Sequence, residues 1–144
     1  MAHTLVQNLI HLVFSTKGRR KVIPKQRLAR TWAYLAGICK KEKIFVHEIG
    51  GTENHVHMLI QLPPTMSLSD AVQGIKAGSS KWLGESFAWQ RGFGAFSVSK
   101  SNANAVIHYV RNQESHHRKM TYDDEFIALL KKHGVPFDPK YVFD

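Results

Sequence analysis

Residues 5–14 near the start of the chain are rich in β-branched and apolar side chains, and Val6, Ile10, Leu12 and Phe14 share one parity. That period of two predicts a strand over 5–14. Gly18 and its basic neighbours then read as a loop. Pro24 stands where a helix can begin, and Leu28, Trp32, Leu35 and Cys39 follow at helical spacing, with Cys39 on the apolar, core-facing stripe. Residues 44–49 predict a second strand and the Gly-Gly-Thr-Glu-Asn run at 50–54 a turn. A third strand covers 55–62 and ends at Pro63-Pro64. Ser67 with Asp70 resembles a capping box, opening a helix with Leu68, Val72, Ile75 and Leu83 on its buried side. A short fourth strand over 92–98 follows, then a polar stretch and a helix over about 103–119. A last helix begins near Thr121 and stops at Gly134.

The order is β-α-β-β-α-β followed by helices. An α+β fold of the ferredoxin-like split type accounts for it, with four antiparallel strands and two helices on one face. The other face is expected to be open for a ligand. At 144 residues, without internal repeat or long linker, one domain over 1–144 is the expectation.

Charge sharpens this reading. The chain holds 20 Lys and Arg against 11 Asp and Glu, and the first acidic residue is Glu42. The whole excess of +9 therefore lies in the first 41 positions, densest through Lys17, Arg19, Arg20, Lys21, Lys25, Arg27 and Arg30. A polyanion is the natural partner, since each phosphate contact releases counterions. A solvated basic helix face would account for the same residues. An anionic membrane fits less well, because no strongly apolar face accompanies the charge. No apolar run nears the ~18 residues of a membrane span. Met1-Ala2-His3-Thr4 lacks the build of a secretion signal, so a cytoplasmic location is expected. A single cysteine excludes an internal disulfide and a Cys-rich zinc site.

Two groups of residues could carry chemistry. His55 and His57 alternate on the third strand, so both imidazoles leave the same face, about 6.5 Å apart at Cα. Val56, Met58, Ile60 and Leu62 would bury the opposite face. Two adjacent imidazoles can hold one metal ion, although two structural histidines on a half-exposed strand would give the same pattern. Tyr109, Gln113 and His116 form one stripe on the third helix, with Val106 and Val110 on a different side. A tyrosine there also suits plain packing. If the stripe faces the His pair, a phenol, two imidazoles and an amide oxygen converge on one phosphate. Tyrosine attack on phosphorus would conserve the bond energy in a phosphotyrosine ester, and a metal would polarise the phosphate. The donor types alone favour zinc or manganese over magnesium.

Three motifs carry a resemblance. The run Glu53-Asn54-His55-Val56-His57-Met58-Leu59-Ile60 is similar to the metal-binding strand of HUH nucleases. The segment Trp89-Gln90-Arg91-Gly92-Phe93-Gly94-Ala95-Phe96-Ser97-Val98-Ser99 resembles a signature of the small single-tyrosine transposases of bacterial insertion sequences and their REP-associated relatives. Tyr109-Val110-Arg111-Asn112-Gln113, with His116-His117 beyond it, resembles their catalytic helix. The motifs occur in the family's order between about Leu9 and Glu125.

The resemblance implies a DNA transposase that cleaves and rejoins single-stranded DNA at hairpin-bearing element ends, with no organic cofactor. It implies Tyr109 as the nucleophile of a 5′-phosphotyrosine intermediate. His55, His57 and Gln113 would be ligands of Mg2+ or Mn2+, which replaces zinc in the expectation. It also implies a homodimer in which each tyrosine helix completes the partner's site. Two other classes stay open on the residues alone: a non-catalytic or domesticated hairpin-DNA-binding module, and an H-x-H metal-dependent hydrolase in which water attacks.

Overall fold

A computed structural model describes residues 3–143; Met1 and Ala2, which entered the leader reading, lie outside the described residues, as does Asp144. Four strands form one antiparallel sheet: β1 (Leu9–Ser15), β2 (Phe45–Thr52), β3 (His55–Gln61) and β4 (Gly94–Val98). Their order is β2-β3-β1-β4, so β1 and β3 are central. Helices α1 (Leu28–Lys41) and α2 (Leu68–Leu83) make the two crossovers. Each crossover joins parallel strands with one strand between them, which is the expected split arrangement.

Both crossover helices cover one face. Ile10, Leu12 and Phe14 of β1 and Val56, Met58 and Ile60 of β3 pack there against Leu28, Leu35 and Cys39 of α1 and Val72 and Ile75 of α2. Each fully buried side chain of this set contributes about 1.5–3 kcal/mol of transfer free energy. Ser67 caps α2, its hydroxyl accepting from the Asp70 amide at 3.0 Å. Lys76 of α2 donates to the carbonyls of Gln90 at 2.8 Å and Gly92 at 2.6 Å, fixing the approach to β4. In the same segment Trp89 Nε1 donates to Ser79 Oγ and Gln90 Oε1 accepts from the Ser15 amide. Trp89 and Gln90 of the signature segment therefore anchor β4 beside β1.

The second face departs from expectation. It is not open: α3 (Ala103–Arg111), the short α4 (Gln113–His116) and α5 (Tyr122–Lys132) lie over it. Val13 and Phe96 pack with Phe126, Leu129 and Leu130 of α5, while Leu9 and Leu59 pack with Ala103 and neighbours in α3. The apolar stripes of these later helices need a surface, and this face of the sheet supplies it. Central strands are thus buried on both sides, and His11, His55 and His57 are interior residues.

Several boundaries also move. β1 starts at Leu9 and leaves Leu5 91% exposed, because no neighbouring strand pairs with 5–8. The fourth strand likewise starts at Gly94, pairing with Val13. The Gly50-Gly51-Thr52 run belongs to β2, opposite His57, Val56 and His55, and only 53–54 turn. A Cβ on Gly50 would stand 2.0 Å from the Val110 carbonyl oxygen, so this glycine seats α3 against the sheet. Pro24 opens a 3₁₀ turn before α1. The expected helix over 103–119 breaks at Asn112, whose side chain donates to the His108 carbonyl at 2.7 Å.

Candidate active site

β3 begins just after the hairpin turn, with His55 and His57 aimed at the face that α3–α5 cover. Neither side chain is solvent-exposed, so the alternative of two structural histidines on a half-exposed strand does not describe this strand. α3 places Tyr109 with its ring centroid 5.6 Å from that of His57. Helical turns resume after the break at Asn112, with the His116 and His117 amides bonding back to the Asn112 and Gln113 carbonyls. Gln113 Oε1 lies 2.9 Å from His55 Nε2. Tyr109, His55, His57 and Gln113, far apart in sequence, therefore meet in one chain.

Further residues join them. Glu125 of α5 is 1% exposed and sits at the centre of the group. Its Oε1 is 2.9 Å from both His57 Nε2 and His117 Nε2 and 3.6 Å from His55 Nε2. Its Oε2 accepts from the Tyr109 hydroxyl and, at 3.1 Å, from Gln113 Nε2. His11 of β1 backs the cluster, with Nε2 2.8 Å from His57 Nδ1. His116 approaches Glu125 Oε2 at 3.2 Å without hydrogen-bond geometry. Tyr122 packs against His55 with ring centroids 4.6 Å apart.

The electrostatics follow from burial. Desolvation, then the neighbouring His57, pulls His55 and His11 down to about 3, so both rings are neutral near pH 7. Burial, then the Glu125 charge, pushes the Tyr109 phenol above its ordinary value. Burial pushes Glu125 up, but hydrogen bonds from His117 and His57 outweigh it and hold the carboxyl well below the usual range.

The donor set fits a metal ion. One ligand atom from each of His55, His57, His117 and Glu125 lies within 4.8 Å of the others. His55 Nδ1 faces Asn54 Oδ1 at 2.8 Å, and the flip of Asn54 is set by its Nδ2 donating to the Arg19 carbonyl. His117 Nδ1 faces the Met120 carbonyl at 2.7 Å. Both rings therefore spend their Nδ1 proton outward, as metal-binding imidazoles do. The neutral His55 ring then turns its Nε2 lone pair on the Gln113 oxygen at 2.9 Å and on Glu125 Oε1 at 3.6 Å. A cation satisfies these facing acceptors at once.

A cleft of about 770 Å³ opens beside His117, walled by Arg19, Lys21, Lys25, Arg118 and Lys119. A second, of about 660 Å³, holds Lys17, Arg19, Arg20 and Arg91. Five of the seven basic positions singled out in the sequence thus border a cleft. Arg27 instead lies over the Trp82 ring, and exposed Arg30 lines neither cleft. Arg19 is partly committed to Asp123, at 3.0 Å.

The sequence profile of the transposases described as IS200-like matches residues 4–113. The chain belongs to that family. It is 28% identical to the transposase for insertion sequence element IS200 of Salmonella typhimurium, covering 78% of this chain and 81% of that protein. The Salmonella typhi transposase of the same element matches with the same identity and coverage. A Deinococcus radiodurans protein described as a candidate transposase shares the fold, with TM-score 0.63 and 18% identity over 78% of this chain and 95% of that one. So does a REP-associated tyrosine transposase bound to a REP hairpin, with TM-score 0.60 and 13% identity over 94% of this chain and 74% of that one. As an IS200-family transposase the chain is a DNA-binding enzyme of transposition. Among the described residues no helix is long and apolar enough to cross a membrane.

The expected exchange of tyrosine helices between subunits is not needed to complete this set. α3 follows β4 after only a 3₁₀ turn at Lys100–Asn102, and it packs on its own sheet over Gly50.

Proposed function

We propose that this transposase cleaves and rejoins single-stranded DNA at hairpin-bearing element ends through a 5′-phosphotyrosine intermediate on Tyr109. The observation that carries the reading is the Tyr109 hydroxyl bonded to Glu125 within a buried His55–His57–His117 group. Binding alone requires no such constellation, and a water-using hydrolase requires no phenol there.

In the proposed reaction the Tyr109 oxygen attacks the scissile phosphorus, and the bond from phosphorus to the 3′ oxygen breaks. The phosphate stays on Tyr109, and the departing 3′ oxygen takes a proton to become a free hydroxyl. Reversal by another 3′-OH rejoins a strand. Glu125 Oε2 orients the hydroxyl and is the acceptor in contact with its proton. His55, His57 and Gln113 would hold Mg2+ or Mn2+, with His117 beside them. When bound, the ion would withdraw charge from the phosphate and favour the phenolate. No organic cofactor enters the scheme.

Lys17, Arg19, Arg20, Lys21 and Lys25 would track the backbone through the clefts, with Arg27 and Arg30 extending the basic surface along α1. One domain would serve both binding and chemistry, acting on cytoplasmic DNA. If it dimerises, each copy would still use its own tyrosine. The test is a denaturing gel with labelled single-stranded element-end DNA and Mn2+. A covalent protein–DNA band that disappears with chelator supports the proposal. Nicking without a band would establish the hydrolase, and binding without cleavage the module.

A further inference from the structure

Glu125 was not singled out by any motif, yet Tyr109, Gln113 and the imidazoles of His55, His57, His116 and His117 all approach it. Its carboxylate is buried, and its close partners are imidazoles, a phenol and an amide. Among the described residues no Lys or Arg pairs with it. A buried carboxylate without a fixed cation is costly unless a counter-charge arrives from elsewhere. The two oxygens also divide their work. Oε1 faces the three imidazole Nε2 atoms at 2.9–3.6 Å. Ligand atoms each about 2.0–2.2 Å from one ion stand at about that mutual spacing. Oε2 faces Tyr109 and Gln113.

We infer that Glu125 is a ligand of the metal ion through Oε1 while its Oε2 holds the Tyr109 hydroxyl, so one carboxylate sets the nucleophile's place beside the ion. The inference rests on the metal-assisted reading above and adds a charged ligand from α5 to the His55, His57 and Gln113 set. An anionic oxygen favours a hard divalent ion over a purely imidazole site, in keeping with Mn2+ or Mg2+. The opposite possibility has a definite signature. A carboxylate that merely plugs the place of the ion would have to be displaced, and removing it would tighten metal binding.

The test is Mn2+ affinity of the whole chain without DNA, read from the electron paramagnetic resonance signal of free Mn2+. Wild type, Glu125→Gln, Glu125→Ala and His57→Ala are compared after thermal melts show which variants are folded. We expect one Mn2+ per chain in wild type, at least about tenfold weaker binding in Glu125→Gln, and weaker still in Glu125→Ala; outer partners of metal ligands already cost about 10–100-fold in affinity. Unchanged or tighter binding in the Glu125 variants, with His57→Ala still defective, would overturn the inference and leave the metal site standing. No stoichiometric Mn2+ in wild type would overturn both. Infrared difference spectra of wild type need no variant. Stoichiometric Mn2+ should shift a carboxylate stretching band, and the lack of any such shift would also overturn the inference.

Discussion

The two faces of the sheet are built from the same strands and obey different rules. Under α1 and α2 the packing residues are mostly apolar, and the few buried polar groups, Thr31, Ser79 and the Trp89 indole, are satisfied by neighbouring carbonyls or by one another. Under α3–α5 the strands present His11, His55 and His57, and the helices answer with Tyr109, Gln113, His117 and Glu125. The first face derives stability from area removed from water. The second buries seven polar side chains at least in part, and their hydrogen bonds build the proposed reactive centre between two apolar clusters, one around Val13 and Phe126 and one around Leu9 and Leu59. In the proposed function, stability and chemistry thus fall on opposite sides of β1 and β3.

That division breaks most visibly at the nucleophile. Tyr109→Phe removes one oxygen and keeps the ring, so cleavage and adduct formation should fall by at least about 10³-fold while the melting temperature holds. An adduct at wild-type rate would show that the polar face is not the reactive one. His57→Ala should lower Mn2+-supported cleavage by more than about 100-fold. Mixing it with Tyr109→Phe in verified mixed dimers should restore nothing, since each chain lacks an essential group of its own site. Recovered cleavage in that mixture would demonstrate exchange of tyrosine helices.

Leu12→Ala on the apolar face should do the reverse. Leu12 is fully buried, and its truncation should cost about 2–5 kcal/mol in chemical denaturation while adduct formation per folded molecule persists. Gly50 joins the two behaviours. Gly50→Ala must push the Val110 carbonyl away, costing about 1–3 kcal/mol and displacing Tyr109 with its helix. Both unfolding and cleavage assays should register it; a change in one alone would mean that α3 is seated independently of β2. The smallest effect belongs to the surface. Neutralising Arg20 and Lys21 should flatten the log–log salt dependence of single-strand binding by up to about 0.7 for each phosphate the protein no longer neutralises. An unaltered slope would move the DNA off these clefts.

The apolar face was readable because its signal is periodic. Val56, Met58 and Ile60 alternate, Leu28, Leu35 and Cys39 recur along one helix side, and local rules suffice for both. The sheet order followed from element order. The polar face was legible only where a motif marked it, as with His55, His57, Tyr109 and Gln113. His11 escaped because the alternation of β1 was read on its other side, through Ile10, Leu12 and Phe14. Glu125 left a trace that periodicity could have raised: Tyr122, Glu125, Phe126 and Leu129 share the buried side of α5, and a carboxylate on such a stripe requires partners. The covering of the second face depends on tertiary contacts, notably the close approach of Val110 to Gly50, which no local pattern encodes.

The central claim is that this chain joins itself to DNA through one tyrosine of the buried polar cluster. Mass spectrometry of the protease-digested protein–DNA adduct, formed on single-stranded element-end DNA with Mn2+, tests it most directly. A nucleotide phosphate on Tyr109, in the peptide that also carries His108 and Val110, is the expected result. Modification of Tyr122, which packs against His55 of the same cluster, or of any other residue with Tyr109 unmodified would contradict the account.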